Sequence, residues 1–265
     1  MPHAIRMLAA ATAVGGLALS GLMTAGAASA SIHGPGTHGP GSRYAGPGTG
    51  SHAIGRITAA PTSNRSFAGY QTPVTAGSAT SSAASFTVPA LACTTANRVI
   101  APDAGVAANN FKTASVAGVS IGCANGKAVY FPFLVANGAE ADYTSTRLSA
   151  GDAINLSASV TTSGITVQVT DVTKNVSVAT TITGAGASAN AAWIGDDAWY
   201  SSSGARLGVP NFGKLTFKNC LIDGTALGGW HPQAYQRVNG RGTVEIATGG
   251  PFPGGTAFNT FYRAS

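Results

Sequence analysis

Charge is what this sequence has least of: only 9% of its 265 residues are Asp, Glu, Lys or Arg. Its 15 Lys and Arg against 9 Asp and Glu leave a modest positive excess, and removal of an N-terminal leader takes Arg6 from that count. Arg98, Lys112, Lys127, Lys214 and Lys218 are scattered, so the concentrated basic stripe needed by a nucleic-acid-binding protein is missing. A weak attraction to anionic cell-wall polymers is as much as the charge supports. No window carries a sustained helical stripe of apolar residues, which argues against a bundle. H-E-x-x-H, paired C-x-x-C and a lysine-bearing P-loop are all absent, and no metal or other cofactor is expected. Beyond the N-terminal residues, no segment approaches the ~20 continuous apolar residues of a membrane-spanning helix.

What is abundant is small: Gly, Ala, Ser and Thr suit short strands joined by tight turns. The first thirty residues read as a secretion signal. His3 and Arg6 precede an apolar run from Met7 to Leu22, and Ala28-Ser29-Ala30 fits the small-residue cleavage rule, placing the cut before Ser31. A retained N-terminal anchor is the alternative. Residues 31–63 hold two HGPG and three GPG repeats, a composition that buries too little apolar surface to offset ordering, and they read as a linker or pro-segment. Its His33, His38 and His52 are irregularly spaced and read as solvated rather than metal-binding. Residues 64–265, about 200 in number, suffice for one β-rich domain. The chain is therefore expected to be secreted or cell-surface associated, with no membrane span after cleavage.

Strands are expected at Ala84–Val88, Val99–Ala101, Ser115–Ile121, Ala128–Val135, Ala153–Val160, Ile165–Val172, Val176–Ile182, Ala191–Gly195, Lys214–Ile222, Thr243–Ala247 and Ala257–Tyr262. The clearest pair is AINLSASV with ITVQVTDV. Ile154, Leu156, Ala158 and Val160 share one face, and Ile165, Val167 and Val169 face inward opposite Thr166, Gln168 and Thr170. TTSG between them ends in Gly164, which can take a hairpin's positive φ. The fold class read from this pattern is all-β, a two-sheet antiparallel sandwich.

Three cysteines survive leader removal. Cys93 with Cys123 would close a loop of ~30 residues, worth about 3 kcal/mol in the chain-entropy model. Cys220 is left over, and in KLTFKNCLI it falls on the polar parity unless a bulge intervenes. A buried thiol, an exposed thiol and an exchanged pairing all fit the spacing. Two generic motifs fail on context. GVSIG at Gly118 lacks a following helix, and His231 is the only histidine in the domain. GAGASA at Gly184 lacks a surrounding βαβ unit.

The run NAAWIGDDAWYSSSGARLGVPNFGKLTF, beginning at Asn190, resembles the signature of the glutamic peptidase, or eqolisin, family: A-E-[WF]-I-x-E followed by P-x-F-G-x-[LV]-T-F. SFAGY from Ser66 and FTVP from Phe86 resemble the family's opening strands, and VYFPFLVANGAE its Trp-rich segment in outline. LSAGDAINLSASV resembles V-x-P-G-D-x-I-x-[AV]-S-V, and FNTFYRAS stands where its closing strand would be. The resemblance spans about Phe67 to Tyr262 and implies a sandwich similar to concanavalin and the legume lectins. In that family a glutamate serves as general acid and base, while a glutamine helps stabilise the oxyanion. Matching the motifs puts Ala192 at the glutamate and Val116 at the glutamine, so the resemblance implies a scaffold without its dyad, probed by whether these two side chains face one another.

Three readings follow. The favoured one is a non-proteolytic secreted protein that binds a polysaccharide or peptide on its concave face, with Trp199, Tyr200, Trp230 and Tyr235 as ligand-binding candidates. Trp193 alternates within a strand and reads as core. The second is an acid endopeptidase with displaced carboxylates, for which Asp196, Glu140 and Asp142 are the candidates. The plainer reading of Asp196 is a surface or loop carboxylate beside Asp197. A structural cell-surface module is the third.

Overall fold

The computed structural model describes residues 60–73, 79–108, 113–184, 189–201 and 204–263. The expected signal peptide, most of the linker and His33, His38 and His52 lie outside the described residues.

The larger sheet carries, in spatial order, β16 (Phe258–Tyr262), β15 (Val244–Thr248), β14 (Gln233–Val238), β2 (Phe67–Pro73), β11 (Ala189–Ala198), β4 (Arg98–Ala108), β5 (Thr113–Ala124), β6 (Lys127–Ala136) and β7 (Ala139–Asp142). The short β1 (Thr62–Asn64) runs parallel to β14. The smaller sheet carries β10 (Val176–Thr183), β9 (Gly164–Asp171), β8 (Ala153–Thr161) and β3 (Ser81–Thr87). One strand, β12 (Lys214–Ile222), belongs to both: Lys214 to Phe217 pair with β16, and Lys218 to Ile222 with β3. Its end also pairs with β13 (Thr225–Ala226), which leads into a single 3-10 turn, Leu227–Trp230. The curled antiparallel architecture is the expected two-sheet sandwich.

Period-two patterning explains the smaller sheet. Ile154, Leu156, Ala158 and Val160 of β8 and Ile165, Val167 and Val169 of β9 are all buried, while Thr166, Gln168 and Thr170 point away. These chains meet Tyr70, Ala104, Val106, Ala117, Val119, Ile121, Ala192 and Ile194 of the larger sheet. Each Val, Leu or Ile fully buried there stabilises by about 1.5–3 kcal/mol. Gly164 is required at the β8–β9 turn: its φ is 154°, and a Cβ would lie 2.3 Å from the Ile182 carbonyl oxygen.

Cys93 and Cys123 form a disulfide as expected. Cys220 is a free, fully buried thiol of the inter-sheet core. Simple alternation from Leu215 would put it outside, but the β12–β3 register shifts between Lys218 and Leu221 and Asn219 adopts φ 50°. That bulge turns Cys220 inward. Among the described residues, no helix is long and apolar enough to cross a membrane.

Candidate functional site

The face of the larger sheet turned away from the smaller one carries its own apolar layer. Phe67, Val116, Phe133, Val135, Trp193, Trp199 and Tyr235 are buried together there. Glycines make the room for these rings: a Cβ on Gly118 would strike Phe133, and one on Gly195 would strike Phe67.

Strand register fixes which residues share this face, because directly paired positions point the same way. Trp193 pairs with Gly105, and Gly105 with Val116. Val116 therefore belongs to the outer layer beside Trp193. Ala192, one residue earlier, points through the sheet into the inter-sheet core with its partner Val106. The two positions matched to the dyad thus lie on opposite faces and do not confront one another. Trp193 is fully buried, in keeping with its reading as core.

Three aspartates sit at this end of β11 and β4, each with no exposed surface: Asp103, Asp196 and Asp197. The indole Nε1 of Trp193 donates to Asp103 Oδ1 at 3.1 Å. Burial, then the adjoining charge of Asp197 and a hydrogen bond between the two side chains, hold the Asp103 carboxyl well above the usual range. Two carboxyl groups joined in this way share a proton, since one must be protonated to donate. Burial likewise raises Asp196 to about 7, despite the opposing pull of the Thr260 hydroxyl and the Arg237 charge. Neither Asp196 oxygen reaches a hydrogen-bond partner at good geometry. Asp196 is therefore not the surface carboxylate that its place beside Asp197 suggests. The pleat puts it on the side of Ala192 and Ile194.

Beside this group lies a second buried network. Arg237 has no exposed surface, and its Nη2 donates to the Leu207 carbonyl at 2.9 Å. Glu245 Oε2 stands 2.9 Å from Arg206 Nη2 and 3.5 Å from Arg237 Nε. Burial and the neighbouring Arg206 lower Arg237 to about 10.

The other expected residues are dispersed. Glu140 pairs with Val135 and Asp142 with Phe133 on the edge strand β7, four strand spacings, or about 19 Å, from β11. They do not join Asp196. Trp199 packs edge-on against Phe133 with ring centroids 5.1 Å apart, and Tyr235 against Phe67 at 5.9 Å. Both rings are buried in the outer layer, so neither offers a face to solvent. Tyr200 is half-exposed, its hydroxyl 3.1 Å from Ser66 Oγ. Trp230 is half-buried against the inter-sheet core, and its Nε1 donates to the Ile222 carbonyl at 3.0 Å. Among the described residues, no group of three or more His, Cys, Asp or Glu side chains is arranged to hold a metal ion.

The sequence model of the Peptidase A4 family matches residues 65–246. Comparison with curated proteins gave no match. Among solved structures, scytalido-glutamic peptidase with a transition-state analogue inhibitor superposes with a TM-score of 0.61 at 15% identity, covering 76% of this chain and 99% of that one. SCP-B, a member of the Eqolisin family in complex with the tripeptide Ala-Ile-His, gives 0.59 at 14% identity, with the same coverage of 76% and 99%. Aspergilloglutamic peptidase from Aspergillus niger gives 0.52 at 19% identity, covering 63% of this chain and 99% of its own. At these identities the likeness speaks for the fold.

Proposed function

Because the chain belongs to the peptidase A4 family, we propose that it is an exported, non-proteolytic member that keeps the family's sandwich as a module for binding an extracellular polysaccharide or peptide. One observation supports loss of the Gln–Glu dyad on the two strands that the family motifs match, in any register of those strands. Neither β5, TASVAGVSIGCA, nor β11, ANAAWIGDDA, contains a single Gln or Glu. On the outer face, Trp193, Gly105 and Val116 form a row whose side chains can neither relay a proton nor donate to an oxyanion as an amide does, and the Gln71 and Glu140 that continue it stand on β2 and β7, five strand spacings or about 24 Å apart. The SCP-B structure holds a tripeptide, and an extended polymer suits an exported module of this fold. Tyr200 and Trp230 are the aromatic candidates with exposed surface to meet it. Export itself rests on the leader-like first thirty residues.

A second reading has its own observation. The hydrogen-bonded Asp103–Asp197 pair is the kind of proton-sharing arrangement that carboxyl-based acid catalysis uses. Against it, both groups are sealed beneath the outer layer. Digestion of casein from pH 2 to 7, with and without pepstatin, separates the readings. No cleavage is expected. Robust pepstatin-insensitive cleavage abolished by Asp103→Asn, Asp197→Asn, Asp196→Asn or Glu140→Gln would sink the non-proteolytic reading.

A further inference from the structure

We propose that β10 is the docking edge for a second copy of this chain, pairing antiparallel with its own counterpart so that the smaller sheet runs on across a two-fold axis. The two ends of the strand path differ sharply. At one end stands β7, only four residues long, with Glu140 and Asp142 along it. Two copies meeting there would oppose like charges, a common device for blunting sheet edges. At the other end stands β10, eight residues reading VSVATTIT and paired on one side with β9. It has no ionisable side chain and no proline, and its outer backbone groups, unpaired among the described residues, form a template for another strand.

The lysine in the adjoining turn is turned away from this edge. Lys174, in the β9–β10 turn, reaches back to Asp152 Oδ2 at 2.7 Å and Asp171 Oδ2 at 3.8 Å. The same corner carries exposed apolar surface: Val172 and Val176 are two of the three large apolar side chains left exposed among the described residues. Uncharged, apolar-rimmed and self-complementary, the edge suits an isologous contact.

Facing chooses the register. Opposed residues of an antiparallel pair point to one side, so the two-fold axis must pass through a residue rather than between two. Centred on Thr180, the pairing sets Val178 against Ile182 of the second copy on the core side, and Ala179 against its Thr181 on the outer side. Apolar then meets apolar, and the hydroxyl-bearing outer face continues unbroken.

The test is sedimentation equilibrium of the purified full chain up to about 1 mM, alongside Thr181→Lys, which places a charge on the outward face of the edge without disturbing the core. A concentration-dependent dimer is expected, with Thr181→Lys raising its dissociation constant at least about tenfold and leaving the circular dichroism spectrum unchanged. Ala141→Lys, on the opposite edge, should leave the dimer intact. A monomer at every concentration, or a dimer indifferent to Thr181→Lys, overturns the proposal. So does a Thr181→Lys effect on thermal stability that disappears when residues 31–59 are deleted, because that segment of the same chain would then be the occupant.

Discussion

The indole of Trp193 rests on the bare backbone of Gly105: a methyl group at 105 would sit 2.1 Å from Trp193 Cζ2. That contact fills the middle of the outer face and aims the indole N–H at Asp103. A side chain cannot be added there without moving the ring and breaking that hydrogen bond.

Gly105→Ala is accordingly expected to destabilise the fold by about 2–3 kcal/mol, the upper part of the range for overpacking. Urea unfolding followed by tryptophan fluorescence reads both the lost stability and the displaced indole. A change below ~0.5 kcal/mol, the size of an ordinary surface substitution, would show that the ring is not held there.

Stability should fall as pH rises from acid toward neutrality. Asp196 is raised from 3.8 to about 7 by burial, and Asp103 is raised by burial and Asp197. Below about pH 4 these groups are protonated in both folded and unfolded chains, so nothing is lost. Between about pH 4 and 7 the unfolded chain releases the Asp196 proton freely while the folded chain retains it, and stability declines through that window. Thermal melts across pH 4 to 8 should show the fall, and Asp196→Asn should flatten it. A melting temperature that climbs over the same window in the parent and is unchanged by Asp196→Asn contradicts the assignment.

Lys174 ties down the far corner of the smaller sheet. Besides reaching Asp152 and Asp171, its Nζ donates to the Arg147 carbonyl at 3.1 Å and Ser149 Oγ at 3.0 Å. Burial pushes the Asp152 carboxyl up, but the Lys174 hydrogen bond, the Ser149 N–H and the Lys174 charge outweigh it and hold the group below its usual range. Lys174→Met should cost about 1–2 kcal/mol at pH 7, discounted because the lysine is partly exposed. A depressed carboxyl contributes its stability above the unfolded value near 4 and loses it as pH falls further, so the penalty should shrink in strong acid. Denaturant titrations of both proteins at pH 7 and pH 3 check the size and the trend.

Thiol chemistry should come in two steps. Cys220 is buried, and burial pushes its thiol up to about 12, so the native protein should take up no thiol-directed label within minutes. One label is expected on unfolding without reductant, and three after reduction. Cys93→Ser, made together with Cys123→Ser, should lower stability by about 3 kcal/mol. Rapid labelling of the native state would place Cys220 at the surface.

Local patterning reveals the smaller sheet because its strands alternate: Ile154 to Val160 and Ile165 to Val169 read directly as one buried face. The longer sheet is harder to read. The strand expected at Val99–Ala101 stops just before Pro102, yet β4 runs on to Ala108, its pairing with β5 passing from Ile100 to Asp103 over Ala101 and Pro102. Gln233–Val238 goes unrecognised as a strand because QAYQRV sets polar residues on both parities, and its Arg237 is buried among Glu245, Arg206 and the Leu207 carbonyl. Motif matching places Val116 and Ala192 at the two dyad positions without saying whether they face one another; a difference of one residue in a β-strand exchanges faces, and pairing through Gly105 puts Val116 beside Trp193 instead. Asp103 and Asp197 come together only through the β4–β11 pairing, a long-range contact with no local periodicity to announce it. The bulge at Asn219 reverses the parity that would put Cys220 outside.

The double membership of β12 has a mechanical meaning for the molecule as a whole. A sandwich whose layers touch only through side chains has a seam along which they can slide or part. Here one continuous backbone is stitched by hydrogen bonds into β16 at one end and β3 at the other, so shear between the layers must first break that stitching. The two sheets should therefore melt together rather than in turn, and those amides of Leu215 to Ile222 that bond across to β16 or β3 should exchange with solvent only when the entire domain opens.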